Sequence, residues 1–135
     1  MNIAIIAHDN KKAELTFFVK TFFHFFTRQD CNLFATGNTG RSVEKMGISN
    51  ITILQSGPMG GDAQIAALLV EGKIDIVFFF IDPLDSHPHE VDVHMLLRLC
   101  NVHNITLATN KATATHIIHS ILASNISTSP KIPQS

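Results

Sequence analysis

The chain has 135 residues, of which 45% are hydrophobic and 16% charged, and its formal net charge is −1. This length fits one domain with one core, and the composition is typical of a globular protein rather than a disordered one. The Lys and Arg residues are scattered, which argues against nucleic acid as a partner because nucleic-acid surfaces carry clustered base. No apolar run approaches the roughly 20 residues of a membrane span, and no signal-like segment follows Met1, so we expect a cytoplasmic protein that makes no membrane contact.

Short apolar runs alternate with segments whose apolar residues recur at helical spacing. In chain order, the predicted elements are a strand at 2–7, a helix at 14–26, a strand at 32–36, a helix at 41–47, a strand at 51–54, a helix at 63–72, a strand at 75–81, a helix at 88–104, a strand at 105–109 and a helix at 111–122. Five strands alternating with helices predict an α/β fold, a single-domain Rossmann-like three-layer sandwich with a five-stranded parallel sheet and helices on both faces.

The ends and the cysteines complete the predicted organisation of the chain. We assign the folded domain to residues 1–123 and a short polar C-terminal tail to residues 124–135. Cys31 and Cys100 match no metal-binding or redox spacing, and both lie in apolar segments. We therefore expect two buried free thiols.

The unusual motifs of the chain all follow predicted strands. They are "HDN" at 8–10, "TGNTG" at 36–40, "QSGPMGGD" at 55–62, "IDPL" at 81–84 and "ATN" at 108–110. In a parallel α/β sheet, ligands bind beyond the carboxyl ends of the strands. The placement of these motifs therefore predicts a functional site at that edge, without defining its chemistry.

Two of the motifs are glycine-rich turns that each lead into a helix. Backbone amides and hydroxyl groups at a helix N-terminus form an anion site, although either turn alone could be an ordinary strand–helix connection. Two such turns on neighbouring strands favour a phosphate, and the lack of a GxGxxG or Walker lysine pattern disfavours dinucleotides and nucleoside triphosphates. Lys12 could supply a charge for the phosphate, but from the sequence alone a solvated helix lysine is the better interpretation.

Carboxylates gather around the same predicted edge. Asp62 follows the second glycine-rich turn, where it could simply cap the helix, and Asp82 before Pro83 could simply form an Asx turn. Carboxylate and phosphate repel each other, so their proximity makes sense if one carboxylate stays basic and removes a proton beside a carbonyl group. A metal site built from His87, His89 and the aspartates is the other possibility, but the spacing matches no metal motif and we predict none.

At this level of detail the chain resembles the methylglyoxal synthase family over nearly its whole length. The motifs that carry the resemblance, in order, are "IIAHDNKK", "ATGNTG", "QSGPMGGDAQIAALLVEGKIDIVFFFIDPL", "PHEVDVHMLLRLC" and "ITLATNKATA". The resemblance implies a lyase that converts dihydroxyacetone phosphate to methylglyoxal and inorganic phosphate through an enediolate. It also implies no metal or organic cofactor, a homohexameric assembly, and inorganic phosphate as both product and inhibitor.

The resemblance further assigns roles to individual residues. Asp62 matches the catalytic aspartate, and His89 matches the histidine that steadies the enediolate. The remaining matches are Asp9, Asp82 and Asp92, which would shape the pocket and help to move protons; His8, which would contact substrate oxygens; and Lys12, Thr36, Gly37, Asn38, Thr39, Ser56 and Gly57, which would bind the phosphate.

The chain departs from the family pattern at two places that matter. Asn38 stands where threonine is usual, and we expect binding to survive because an amide can donate as a hydroxyl does. The segment after Leu122 contains no arginine, which puts phosphate-linked cooperativity in doubt. The alternative function is a non-catalytic phosphate- or effector-binding regulatory domain, as the same fold resembles the regulatory domains of carbamoyl phosphate synthetase.

Overall fold

The structure, a computed structural model, describes residues 1–84 and 90–126, with the side chains of residues 90–92 and 125–126 left aside. The strands are β1 (Asn2–Ala7), β2 (Asn32–Thr36), β3 (Ile51–Leu54), β4 (Ile76–Phe80) and β5 (Thr106–Ala108). The helices are α1 (Lys12–Thr21), α2 (Phe23–Phe26), α3 (Gly37–Glu44), α4 (Gly61–Val70), α5 (Glu90–Val102) and α6 (Lys111–Ile126). Two 3-10 turns, Asp9–Lys11 and Gly57–Met59, precede α1 and α4.

The five strands form one sheet, all of whose pairings are parallel, in the order β3-β2-β1-β4-β5. The first strand is central, and its residue Ile3 lies opposite Leu33 on one side and Ile76 on the other. After β1, the chain adds β2 and then β3 on one side of it, and afterwards β4 and β5 on the other side. This reversal places the carboxyl ends of β1, β2 and β3 beside that of β4, where a crevice opens.

Each face of the sheet has its own buried core. Alternate residues of β1 point to opposite faces, so Ile5 packs with α1, α2, α3 and α6, while Ile6 packs with α4 and α5. The first core is rich in aromatic contacts, with Phe18 and Phe78 edge-on at a centroid distance of 5.8 Å. These two cores make the three layers, and the predicted α/β fold class is confirmed.

Three of the predicted elements differ from the structure by more than the one or two residues by which other boundaries shift. The helix predicted at 14–26 breaks at Phe22, whose backbone leaves the helical region (φ −105°, ψ 33°) and separates α1 from α2. No Gly or Pro marks this break; the rings of Phe25 and Phe26 both turn into the core behind it. The helix predicted at 41–47 begins at Gly37 instead, so "TGNTG" is not a turn before the helix but its first turn. Helix α6 runs to Ile126, and residues 127–135 of the predicted tail lie outside the described residues.

The two cysteines are buried and free, as predicted. Burial raises the pKa of the Cys100 thiol to about 11, and burial followed by the nearby Asp30 charge raises the pKa of Cys31. Both thiols therefore stay protonated near neutral pH. Within residues 1–84 and 90–126, no helix has the length and apolar character needed to cross a bilayer.

Candidate active site

A cleft of about 130 Å³ opens at the carboxyl ends of β1, β2 and β3. It lies where the sequence motifs predicted a site. Nine of the predicted site residues line it: His8, Asp9, Lys12, Thr36, Gly37, Asn38, Ser56, Gly57 and Asp62. They come from three separate strand ends, which the parallel sheet brings to one edge.

The first wall of the cleft is the start of α3. Thr36 is the N-cap residue and its side chain makes no capping hydrogen bond. The first-turn amides, like those of any α-helix, have no intrahelical acceptor. Gly37 has a φ of +28°, and a Cβ added to it would lie 2.9 Å from Cα of Ser56. The two glycine-rich segments thus touch backbone to backbone, which only glycine allows at this position. A helix N-terminus open in this way favours an anion.

The second wall is the start of α4. The N-cap of this helix is Gly60, and Asp62 is its second residue, so the interpretation of Asp62 as the capping residue is wrong. Its two carboxylate oxygens lie 3.5 and 3.6 Å from where a Cβ on Gly57 would be. A Cβ on Gly61 would collide with the carbonyl oxygen of Gln55 and approach Thr36 to 2.9 Å. These glycines therefore let the α4 turn close on β2 and β3, which brings the Asp62 carboxylate to the cleft.

His8 lies at the end of β1 in a fixed orientation. Its Nδ1 accepts a 2.9 Å hydrogen bond from the backbone N–H of Asp82, and its ring contacts Phe79 edge-on at 5.2 Å. A backbone amide can only donate, so Nδ1 carries no proton here and the neutral ring holds its proton on Nε2. The geometry makes the Nε2 side of His8 a hydrogen-bond donor.

Among the described residues that line the cleft, Lys12 is the cation. Its Nζ lies 2.8 Å from Oδ1 of Asp9, three residues earlier, and its side chain is about one-third exposed while that of Asp9 is largely exposed. An ion pair this exposed contributes roughly 1 kcal/mol or less. Lys12 is therefore not simply a solvated helix lysine, since it lines the cleft and can share its charge with an incoming anion.

Asp82 does not line the cleft. Its Oδ1 accepts a 3.0 Å hydrogen bond from the backbone N–H of Leu84, which is the Asx turn considered from the sequence, and its Oδ2 accepts one of 3.0 Å from Nδ2 of Asn10. The carboxylate therefore joins the loop after β1 to the loop after β4. Asp82 contributes to the site through its backbone, by holding His8.

Three further residues predicted for the site, Thr39, His89 and Asp92, either do not line the cleft or lie wholly or partly outside the described residues. Thr39 is buried beneath the start of α3, and within the described part of the chain its hydroxyl has no hydrogen-bond partner. His89 lies outside the described residues, as does His87, and of Asp92 only the backbone in α5 is described. Their predicted roles stay predictions.

The sequence reasoning missed the apolar side of the cleft. This wall consists of Ile6, Ala7, Pro58, Phe79 and Val93. Phe79 lies opposite Ile6 in the parallel register of β4 and β1. The alternation of side chains along those two strands would have identified both residues as neighbours at the carboxyl edge. Such a wall excludes water from one side of the bound molecule and strengthens polar interactions on the other.

Among the side chains that the structure describes, no three His, Cys, Asp or Glu residues come together as a group that could hold a metal ion. Of the metal set considered from the sequence, Asp9 lines the cleft and Asp82 does not, while the side chains of His87, His89 and Asp92 lie outside the described part of the chain.

The sequence of the chain is similar to that of a known protein family and of several of its members. The model of the MGS-like domain family matches residues 18–109. A methylglyoxal synthase of Thermoanaerobacter pseudethanolicus is 50% identical over 114 residues, covering 84% of this chain and 85% of the relative. A methylglyoxal synthase of Natranaerobius thermophilus is 48% identical over 122 residues, covering 90% of this chain and the whole of the relative.

A solved structure agrees with these relatives. The crystal structure of methylglyoxal synthase from Elizabethkingia anophelis superposes with a TM-score of 0.76 at 38% sequence identity, covering 87% of this chain and 76% of that one. The chain therefore belongs to the methylglyoxal synthase family, a family of lyases, as its motifs predicted.

Proposed function

We propose that this protein converts dihydroxyacetone phosphate to methylglyoxal and inorganic phosphate in the cleft at the carboxyl ends of β1, β2 and β3. The observation that carries the proposal is the meeting of two groups in one cleft. The uncapped N-terminus of α3 offers donors for a phosphate, and the Asp62 carboxylate lies beside Gly57 in the adjoining wall. A phosphate-binding module would need the first group but not the second.

The reaction begins with the removal of a proton from the hydroxymethyl carbon, and Asp62 is the proposed base. Its place in the first turn of α4 stabilises the carboxylate form, which is the form that accepts a proton. Positioned bases of this kind contribute about 10²- to 10⁴-fold in rate.

Proton removal moves the negative charge to the carbonyl oxygen and forms an enediolate. The proposed donors to that oxygen are the Nε2–H of His8, whose orientation is fixed from the Nδ1 side, and His89. A donor that is already oriented needs no reorganisation when the charge develops, which is how such groups lower a barrier.

Elimination completes the chemistry. The hydroxyl group on the former hydroxymethyl carbon loses its proton, its carbon becomes the aldehyde, and the double bond shifts as the carbon–oxygen bond to phosphate breaks. The enolate then takes a proton to become methylglyoxal. Asp9 and Asp92 are the proposed residues that shape the pocket and move these protons, whereas Asp82, which does not line the cleft, is proposed to act through its contacts to His8 and Asn10.

The leaving group stays bound by the same donors that held the substrate phosphate. The proposed phosphate ligands are Lys12, Thr36, Gly37, Asn38, Thr39, Ser56 and Gly57, all but one of which line the cleft. Inorganic phosphate should therefore compete with the substrate. The expected homohexamer and cytoplasmic location stay predictions, as does the absence of a metal requirement.

One assay separates this proposal from a non-catalytic binding domain. Purified protein is incubated with dihydroxyacetone phosphate in buffer containing a chelator, and methylglyoxal and phosphate are measured together. Equal release of both products, inhibited competitively by added phosphate, supports the proposal. Phosphate binding without turnover would establish the binding domain instead, and turnover that vanished with the chelator and returned with a divalent cation would establish a metal enzyme.

A further inference from the structure

Arg41 makes a contact that links the outside of α3 to the cleft. Its Nη1 donates a 3.1 Å hydrogen bond to Oδ1 of Asn38, three residues earlier on the same helix. Asn38 lines the cleft, whereas Arg41 is exposed and does not. The guanidinium group therefore does not line the cleft itself but contacts Asn38, which does.

The chemistry of the two groups fixes which part of the amide a ligand can meet. A guanidinium can only donate, so the amide oxygen of Asn38 is the atom turned toward Arg41. The part of the side chain left for a ligand is Nδ2, which carries two donor hydrogens. Without Arg41, the amide could rotate by half a turn and present its oxygen, which repels a phosphate oxygen.

We propose that Arg41 is a positioning residue for phosphate, which holds the Asn38 amide with its N–H groups available to the ligand. A hydrogen bond from a charged donor also polarises the amide, which makes its N–H groups better donors. The inference rests on the proposed function only in requiring that a phosphate group binds at the start of α3.

A double-mutant cycle with a charge control tests the proposal. The variants are Arg41→Ala, Asn38→Ala, the two together, Arg41→Lys, and Lys45→Ala. Lys45 is the exposed C-cap residue of the same helix, so Lys45→Ala removes an equal charge away from the cleft. For each variant, calorimetry measures the Kd of inorganic phosphate, and steady-state kinetics with dihydroxyacetone phosphate measure kcat and KM. Thermal unfolding measures the midpoint.

We expect Arg41→Ala to raise the phosphate Kd and the KM by about three- to tenfold, with kcat within about twofold of wild type, because a single polar contact is lost in binding. Arg41→Lys should restore much of the affinity, since it keeps a charged donor. In the Asn38→Ala background, Arg41→Ala should change the Kd by less than about twofold. Lys45→Ala should leave the Kd and the midpoint near those of wild type.

Several results would overturn the inference. An equal loss of affinity from Arg41→Ala with and without Asn38 would show that Arg41 acts as a distant charge, and an equal loss from Lys45→Ala would show an effect of net charge alone. Full turnover with no effect of Arg41→Ala on Kd or KM would reject the inference while leaving the proposed function intact. Conversely, phosphate binding that depends on Arg41 in a protein without turnover would reject the proposed function and keep the inference.

Discussion

The backbone N–H of Asp82 and the Nδ1 of His8, 2.9 Å apart, join the loop after β4 to the loop after β1. The contact determines more than the position of the ring. It makes the side of His8 that carries Nε2 a permanent donor, so His8 is suited to stabilising a developing oxyanion and unsuited to taking a proton at Nδ1.

A pair of substitutions at His8 separates its structural bond from its proposed donor role. In His8→Asn the side-chain oxygen takes the approximate position of Nδ1 and still accepts from Asp82, but nothing replaces Nε2. We expect a thermal midpoint close to wild type and a kcat/KM lower by about 10²-fold, in the range found when one oxyanion donor is removed. Thermal unfolding and steady-state kinetics measure both effects.

The control for that prediction is His8→Ala, which removes both contacts. It should lose a similar amount of activity and in addition roughly 1–3 kcal/mol of stability, because the Asp82 amide loses its acceptor. Equal midpoints for His8→Asn and His8→Ala, or an active His8→Asn, would contradict the division of roles.

Asp62→Asn tests the proposed base. Since Gly60 and not Asp62 is the N-cap residue of α4, the substitution leaves the N-cap in place, and the loss of a negative charge from the first turn should cost folding only about 0.3–1 kcal/mol. Phosphate affinity should be kept or increase, because a negative charge leaves the cleft. Methylglyoxal formation should fall by at least about 10²- to 10⁴-fold, since an amide cannot accept the proton.

The matched control is Glu71→Gln, which removes one carboxylate at the other end of the same helix. Glu71 is exposed and pairs with Lys73 on the surface, so its loss should affect neither turnover nor phosphate affinity. If Asp62→Asn turns over within about tenfold of wild type, Asp62 is not the base, and Asp92 or Asp9 becomes the first candidate.

Much of this site was predictable because each feature leaves a local pattern in the sequence. The alternation of apolar strands with helices, together with the glycine-rich segments that follow strands, correctly predicted that Asp62 and Ser56 lie at one edge of the sheet. The start of α3 was missed because Gly37 and Asn38 are poor helix formers, and propensity favours a turn there. The Phe22 break was missed because no breaker residue marks it; the residues on either side of it, Phe18 and Phe26, contact each other through their rings.

Other features could have been found but were not. Asn38 and Arg41 are three residues apart on a helix, a spacing that predicts contact once the helix is known to begin at Gly37. The bond between His8 and Asp82 could not have been found, because it joins residues 74 positions apart through the pairing of β1 with β4.

Two glycines that flank the cleft should respond differently to alanine. A Cβ on Gly61 meets the Gln55 carbonyl oxygen, which is backbone and cannot swing aside, so Gly61→Ala should cost roughly 2–3 kcal/mol and lower the thermal midpoint by roughly 5–10 °C. A Cβ on Gly57 meets the Asp62 carboxylate at ordinary contact distance, 3.5 Å. Gly57→Ala should therefore keep its midpoint and lose activity. Equal midpoints for the two variants would contradict the close approach of α4 to β3.

Cys100 gives a prediction for stability at high pH. Below pH 9.0, the ordinary pKa of a cysteine thiol, both the folded and the unfolded state keep the Cys100 proton, whereas the folded-state pKa of about 11 lets the folded state keep it to higher pH. Between these values the folded state binds more protons, so the free energy of unfolding falls as pH rises, by about 3 kcal/mol in total. Chemical denaturation from pH 8 to 11 should show a shallower fall for Cys100→Ala than for wild type. Parallel curves would contradict the predicted linkage.

The central position of β1 has a consequence for how the protein emerges from the ribosome. Strand β1 can pair with β2 as soon as residues 32–36 have been made. Its other neighbour, β4, is synthesised later, at residues 76–80. Until then, one side of a strand made almost entirely of buried residues is an open sheet edge, the kind of edge that pairs with other chains. The glycine-rich walls of the cleft can thus form early, while His8 gains its fixed orientation only when β4 closes that edge and Asp82 follows it.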